Sequence, residues 1–362
     1  MGKYYKSYAI KVVAELLINK AGKNMGKYWD LFLNGYGGYA SYLWNDITNP
    51  SWKSYFWWLI LVSVFFLILE VVIPWRKKQP VLRKDFWLDG FYMFFNFFLF
   101  SLIIYNAASD VIVNLFNDGI SAVTGGFDLQ ALNPMNSWPV WSILLVGFIV
   151  RDFVQWWIHR LLHRSDKLWE FHKVHHSVQE MGFAAHLRYH WMENIVYRSL
   201  EYIPLALLGI GLHDFFIIHI FTLAWGHFNH SNITVSGKVT GGIVGALIGV
   251  VIAGGLFDVS LLVEPSMILQ LGVIVLGAAI GSFILGPIMR KLFNSPEMHI
   301  WHHTEDLPSD RYYGVNFGLT LACWDYLFGT AYVPGEGRNN KLGFPGVEEF
   351  PDTFAGQNMN GF

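Results

Sequence analysis

Three long apolar runs constrain the fold before any other feature. The first extends from Ser54 to Pro74, opens on Tyr55, Phe56, Trp57 and Trp58, and is rich in Leu, Val and Phe. The second, Phe86 to Val111, is broken only by Asp89 near its start and Asp110 near its end. The third, Trp138 to Ile158, is apolar apart from Arg151, Asp152 and Gln155. A helix crosses about 30 Å of hydrocarbon with roughly 20 apolar residues. Inside hydrocarbon only helices and closed barrels satisfy their own backbone. Hydrophobic residues are 53% of the chain and charged residues 14%, which is membrane-protein composition. The fold class expected is all-α, a polytopic integral membrane helical bundle. A net charge of -2 leaves no electrostatic footprint for nucleic acid. Cys323 is the only cysteine, so an intrachain disulfide and a thiolate metal cluster are both excluded.

Charge placement orients the bundle. Arg76, Lys77, Lys78, Arg83 and Lys84 follow the first run, and no Lys or Arg occurs between Lys84 and Arg151. By the positive-inside rule the 75–85 loop is cytoplasmic and the 112–137 loop lies outside. The segment 159–190, with Arg160, Arg164, Lys167, Lys173 and Arg188, then faces the cytoplasm. The same count puts the Lys-bearing N-terminal region outside, unless that segment re-enters the membrane or the first run is itself a hairpin. Residues 1–50 read as a membrane-surface segment with a short amphipathic helix from Ala9 to Ile18; Lys3, Lys6, Lys11 and Lys20 interrupt what a clean signal peptide would require. Residues 51–137 form an N-terminal transmembrane region and 138–335 a second region. Within the latter, 195–226 reads as two partly crossing segments or a tight hairpin. An additional transmembrane hairpin is expected at 238–288, with small-residue contacts at Gly241, Gly242 and Gly245. Residues 336–362 read as a polar tail.

The histidines carry the chemistry. All 14 fall between His159 and His303. They include His159-x3-His163, His172-x2-His175-His176 and His299-x2-His302-His303. Residues three and four apart share one face of a helix, so each motif aims two or three imidazoles at one place. Neutral imidazole suits Zn, Cu, Fe and Ni. At four to six ligands per ion, this many imidazoles fit two ions. His190, His227 and His230 join the box histidines as candidate ligands, while His186 reads as a supporting or surface group and His213 and His219 as ordinary turn or core histidines. Asp152, Glu193, Asn316 and Asp325 are candidates to hold the ligands from behind, since a ligating imidazole usually donates its other N–H to such a group. The basic residues put these histidines in a cytoplasmic helical cap near the headgroup boundary.

These residues resemble the sterol desaturase and fatty acid hydroxylase superfamily. The three motifs look like its three histidine boxes. Asp152 seven residues before the first box, His230-Ser231-Asn232 before the third, Tyr313-Gly314, and Trp324-Asp325 with Leu327-Phe328-Gly329-Thr330 match as well. His190 with Glu193 resembles a family His-Pro-x-Glu segment, although Trp191 stands in the proline's place. The resemblance covers roughly residues 140–335. It departs from the family in the long insertion between His230 and His299. It implies a hydroxylase, desaturase or monooxygenase that uses two iron ions and dioxygen on a lipid substrate (sterol, fatty acyl, ether lipid or carotenoid). It also implies a separate electron donor of cytochrome or ferredoxin/reductase type. The competing readings are a non-enzymatic histidine-rich membrane protein that binds or transports metal, a zinc hydrolase, which lacks the HExxH glutamate, and, more weakly, a bis-histidine haem protein.

Overall fold

The computed structural model describes residues 26–100, 111, 118, 138–207, 212–256 and 264–362. The expected amphipathic helix at 9–18 lies outside the described residues. So do nearly all of the 112–137 segment, most of the second apolar run beyond residue 100, and residues 257–263 within the expected 238–288 hairpin. Among the described residues the chain is helical and has no strand beyond isolated bridges at Phe293–Leu321 and Thr304–Leu342.

The chain divides into two compact units. One comprises residues 1–57 and 94–132. It contains α1 (residues 26–48) and the opening of α2 (Tyr55–Val72). The Phe56 backbone N–H donates to the Asp46 carboxylate at 2.9 Å, which fixes the short turn between these helices.

The other unit, residues 58–93 and 133–362, carries the rest. After α2 come α3 (Phe86–Phe94), α4 (Val140–Arg164), α5 (Asp166–His176), α6 (Trp191–Leu207), α7 (Leu212–His230), α8 (Gly237–Leu256), α9 (Glu264–Ile280), α10 (Gly286–Leu292), α11 (Pro296–His302), α12 (Cys323–Leu327) and α13 (Phe354–Met359). Among the described residues, three segments are long and apolar enough to cross a membrane: 55–72, 140–164 and 269–292. On α2 the buried stripe is Leu59, Ser63, Phe66 and Glu70, while Leu61, Val64, Phe65, Ile68 and Val71 are exposed. The outward face is thus more apolar than the inward one, the inverse of a water-soluble helix. Hydrocarbon is the solvent that such a face fits, and the chain is a membrane protein.

The inward polar groups tie the helices together. Glu70 pairs with Arg83 at 3.0 Å and accepts from the backbone N–H groups of Phe183 (2.9 Å) and Asn232 (2.8 Å). Arg151 of α4 reaches Glu201 of α6 and Thr222 of α7, with His219 Nδ1 at 3.0 Å. In a low-dielectric interior an unpaired group of this kind is costly, so each partner fixes a helix position. The α8–α9 hairpin is held differently. Its seam is glycine: a Cβ on Gly249 would sit 2.9 Å from the Ile274 Cα, and one on Gly245 would overlap the Gly277 carbonyl. Small residues let helix backbones approach this closely in a bilayer.

Candidate metal centre

The local sequence sets where each imidazole starts. The third apolar run does not stop at Ile158: α4 continues to Arg164, so His159 and His163 occupy the last turns of the spanning helix itself. Ser165 breaks that helix and its hydroxyl accepts from Leu168 N, capping α5. The second box is the last turn of α5. Ser295 and Pro296 open α11 in the same manner, Ser295 accepting from Met298 N. His303 is the C-cap residue of α11, and His230 ends α7.

Nine histidines converge in two groups. His159, His163, His172, His176 and His302 form one; His175, His230, His299 and His303 form the other. Within each group one nitrogen per residue lies within 4.8 Å of all the others. The HxxHH spacing explains the division. At about 100° per residue, positions i and i+4 lie about 40° apart, whereas i+3 and i+4 lie about 100° apart. Accordingly His172 and His176 serve one group and His175 the other. On α11 the sense is reversed, with His299 and His303 in the second group and His302 in the first. The groups adjoin, with the His176 and His303 rings stacked at 4.5 Å.

Hydrogen bonds behind the rings fix which nitrogen faces inward. The Nδ1 of His159 faces the Phe317 carbonyl at 2.8 Å and that of His302 the Val315 carbonyl at 2.7 Å. His175 Nδ1 faces the Arg188 carbonyl at 3.1 Å and His230 Nδ1 the Gly226 carbonyl at 2.8 Å. A carbonyl only accepts, so each of these Nδ1 atoms carries the proton and each Nε2 a lone pair. Yet His175 and His230 point their Nε2 atoms at each other across 3.3 Å. Two lone pairs so placed repel unless a cation sits between them. Nitrogens bound at about 2.1 Å to a common ion lie roughly 3.0–3.4 Å apart. The inward Nε2 pairs at 3.2 Å (His159–His172), 3.1 Å (His163–His176) and 3.0 Å (His230–His299) fall in this range. His302 Nε2 and both ring nitrogens of His303 are buried without a hydrogen-bond partner. The donor set therefore fits two metal ions. Burial drives His172, His175, His176, His299, His302 and His303 well below the usual imidazole value, with the neighbouring imidazoles adding to the effect. Neutral imidazole is the ligating form.

The four supporting candidates act at different removes. Glu193 sits closest: one carboxylate oxygen is 3.1 Å from His172 Nδ1, off the line of a hydrogen bond, and burial pushes this carboxyl well above its ordinary range. Asp325 accepts from Phe317 N (2.9 Å), Gly318 N (2.8 Å) and the Trp156 indole (3.0 Å), so it holds the loop whose Phe317 carbonyl receives His159. Asn316, at φ 54°, donates to the Met298 and Tyr332 carbonyls and shapes the same loop. Asp152 touches no histidine. It accepts from the Thr320 and Leu321 backbone and from Trp324 Nε1, fastening α4 to that loop's far end.

Two of the ligand candidates, His190 from its likeness to a His-Pro-x-Glu segment and His227 from its spacing to His230, stay outside both groups. His190 Nε2 donates to the Asn358 carbonyl at 2.9 Å and its Nδ1 accepts from Met192 N at 3.1 Å, so both nitrogens are engaged. His227 lies one turn before His230 but faces away, toward Ser63 Oγ (3.1 Å) and His186 Nδ1 (3.3 Å). His219 lies against Arg151, and the His213 side chain is outside the described residues. One contact has no signal in the spacing: Asn294 places its amide nitrogen 3.3 Å from His299 Nδ1 and 2.5 Å from the Gly318 carbonyl. The backbone acceptors at Arg188, Gly226, Val315 and Phe317 have none either, because any residue type supplies a carbonyl.

Residues 144–246, from within α4 to within α8, match the family model for fatty acid hydroxylase. The first two boxes fall inside that span and the third beyond it. An ornithine lipid hydroxylase of Rhizobium tropici is 26% identical over 211 residues, 58% of this chain and 48% of the relative. A very-long-chain aldehyde decarbonylase of Oryza sativa subsp. japonica is 44% identical over 54 residues, 15% of this chain and 18% of that protein. The chain therefore spans about half the length of the first of these curated relatives and less of the second. No solved structure matches the chain. The family match, the lipid hydroxylase relative and the three boxes together make the chain similar to the sterol desaturase and fatty acid hydroxylase superfamily.

Proposed function

We propose that this chain is a membrane hydroxylase that oxidises a C–H bond of a lipid with dioxygen at two iron ions. The observation that carries the proposal is the division of nine imidazoles into groups of five and four, each with one ring nitrogen per residue converging on a common point. His159, His163, His172, His176 and His302 hold one ion, and His175, His230, His299 and His303 the other. Imidazole sets of this kind suit zinc as well as iron; the iron reading rests on the fatty acid hydroxylase match and on the relative named a lipid hydroxylase. Iron bound there supplies oxygen activation for attack on an unactivated C–H bond.

The chain's own residues do the remaining work. Backbone carbonyls hold the Nδ1 protons and so keep the rings aimed. Glu193 stands ready to accept the Nδ1 proton of His172 once a cation occupies its other nitrogen. The buried walls around the rings exclude water from the reacting carbon. Because α4 both spans the bilayer and ends in His159 and His163, an alkyl chain reaches the site from the hydrocarbon side. The ornithine lipid named in the relative makes amino-acid-linked acyl lipids the first class to assay. The basic residues at 76–84 and 160–188 put the site on the cytoplasmic side by the positive-inside rule, where an electron donor of cytochrome or ferredoxin/reductase type delivers reducing equivalents.

The test is metal analysis of detergent-purified protein together with oxygen uptake. The proposal expects two irons per chain and uptake that depends on an added lipid and a reductant. One zinc per chain with no lipid-dependent uptake would overturn it.

A further inference from the structure

Residues 351–362, the end of the stretch that reads as a polar tail, are packed against the histidine-bearing helices. Thr353 caps α13, its hydroxyl accepting from Gly356 N. The buried Tyr92 hydroxyl donates to Gln357 Oε1 at 2.9 Å and accepts from Asn358 Nδ2 at 2.8 Å. Asn358 Nδ2 also donates to the Phe354 carbonyl at 3.0 Å within α13, and Asn358 makes two further contacts outside that helix. Its carbonyl accepts from His190 Nε2 at 2.9 Å, and its Oδ1 accepts from the Trp191 backbone N–H at 3.2 Å. Trp191 is the first residue of α6, so its N–H has no partner within the helix. A side chain 167 residues away in sequence thus supplies the cap that Ser165 and Ser295 supply locally to α5 and α11. Phe362 continues the contact, with ring centroids 5.4 Å from Phe171 and 5.7 Å from both His190 and Trp191. Asn360 Nδ2 donates to the Glu170 carbonyl at 3.4 Å.

This segment grips two elements at once. On α5 it holds Glu170 and Phe171, the residues just before His172. On α6 it holds the first turn, which carries Glu193, the carboxylate 3.1 Å from His172 Nδ1. We infer that residues 354–362 are a positioning latch for the first histidine group, with Asn358 acting through α6 and Glu193 on His172. The inference rests on the metal-site reading but not on the identity of the metal. Its specific content is asymmetry. Among the second group, His175, His230 and His299 have their Nδ1 atoms against Arg188, Gly226 and Asn294, none of them Glu193 or a residue of 354–362.

The experiment is chelator competition on whole, metal-loaded protein, with the metal that the purified wild type retains. Loss of a partner behind a ligand typically weakens metal binding about 10–100-fold. Asn358→Ala is expected to make one metal equivalent about 10-fold or more easier to extract and to leave the other unchanged. Asn358→Asp keeps an acceptor for the Trp191 N–H and is expected to restore retention. Glu193→Gln is expected to produce the same one-equivalent loss, and the double variant with Asn358→Ala to lose no more than Glu193→Gln alone. Tyr92→Phe, which removes one of the contacts that hold Asn358 without touching α6, keeps the test available if Asn358→Ala fails to fold; a smaller loss confined to the same equivalent is expected. Equal loosening of both metals, unchanged retention in Asn358→Ala, or additive losses would each overturn the latch. Zinc in place of iron would defeat the functional reading, yet the same competition run on zinc still decides the latch. A chain that retains no metal overturns both.

Discussion

At the scale of single residues, the identity of the atom behind each ring matters as much as the ring. HxxHH spacing brings imidazoles near one another, but it does not say which nitrogen faces in. Carbonyls at Val315, Phe317, Arg188 and Gly226 decide that, and they separate ligand candidates from bystanders. His302 and His227 make the contrast testable. Both are buried, both lie three residues from another histidine, and burial alone does not distinguish them. His302 has an inward nitrogen with no partner, whereas His227 contacts Ser63 and His186 with its two nitrogens. His302→Ala is expected to lower retained metal from two equivalents toward one and to cut lipid hydroxylation by more than about 100-fold, beyond the loss typical of a partner one shell out. His227→Ala removes a buried ring and is expected to lower thermal stability, by roughly 2–4 kcal/mol on the pattern of large-to-small core changes, while retained metal stays at two equivalents. Metal analysis and a melting curve on the two variants separate these outcomes. Full metal retention by His302→Ala would remove it from the ligand set.

At the scale of elements, the parts legible in the sequence are those whose pattern is local. The apolar runs at 54–74 and 138–158 reappear as α2 and α4, because a stretch near 20 residues long with few charges has one solution in hydrocarbon. The boxes are legible because i, i+3 and i+4 share a helix end. Non-local contacts are not. That α4 runs on through the first box depends on Ser165 as the breaking residue. That His190 is engaged elsewhere depends on Asn358, and no period in the sequence joins positions 190 and 358. The segment at 336–362 reads as a tail because its polar side chains give no sign of the partners they find. The insertion between His230 and His299 illustrates the middle case: its apolar runs announce helices and its glycines announce close packing, but not a purpose. Its seam predicts independence from the metal groups. Gly245→Leu drives a side chain into the Gly277 carbonyl of the facing helix. The α8–α9 pair is then expected to separate, with a fall in melting temperature of several degrees, consistent with overpacking costs of about 1–3 kcal/mol. Retained metal is expected to stay at two equivalents. Loss of metal in that variant would show that the hairpin supports the site.

At the scale of the whole molecule, burying so many titratable rings makes stability depend on pH in a definite direction. His172, His175, His176, His299, His302 and His303 lie outside the spanning helices, and burial holds each well below its ordinary value near 6.5 in the metal-free chain. In the unfolded chain the same rings take up protons as pH falls through about 6.5. Between that point and the much lower folded values the unfolded state binds more protons, so stability decreases with acidification. Each ring contributes at most about 1.4 kcal/mol per pH unit in that window. Glu193 acts in the opposite sense: burial raises its folded value, so its contribution is present at low pH and fades as pH rises through that raised value. Asp89, Glu297 and Asp325 are raised by burial in the same sense, but the six rings outnumber these four carboxyls and the histidines dominate. The metal-free protein is therefore expected to lose thermal stability steeply from pH 7 to pH 5. The metal-loaded protein should keep a flatter profile until protons displace the ions, because ligation holds the rings neutral and binding to the folded state alone stabilises it. Melting curves of both forms across that range test the account. A metal-free chain whose melting temperature ignores pH would mean that the rings are not buried together as neutral groups, and the paired metal centre would lose its structural basis.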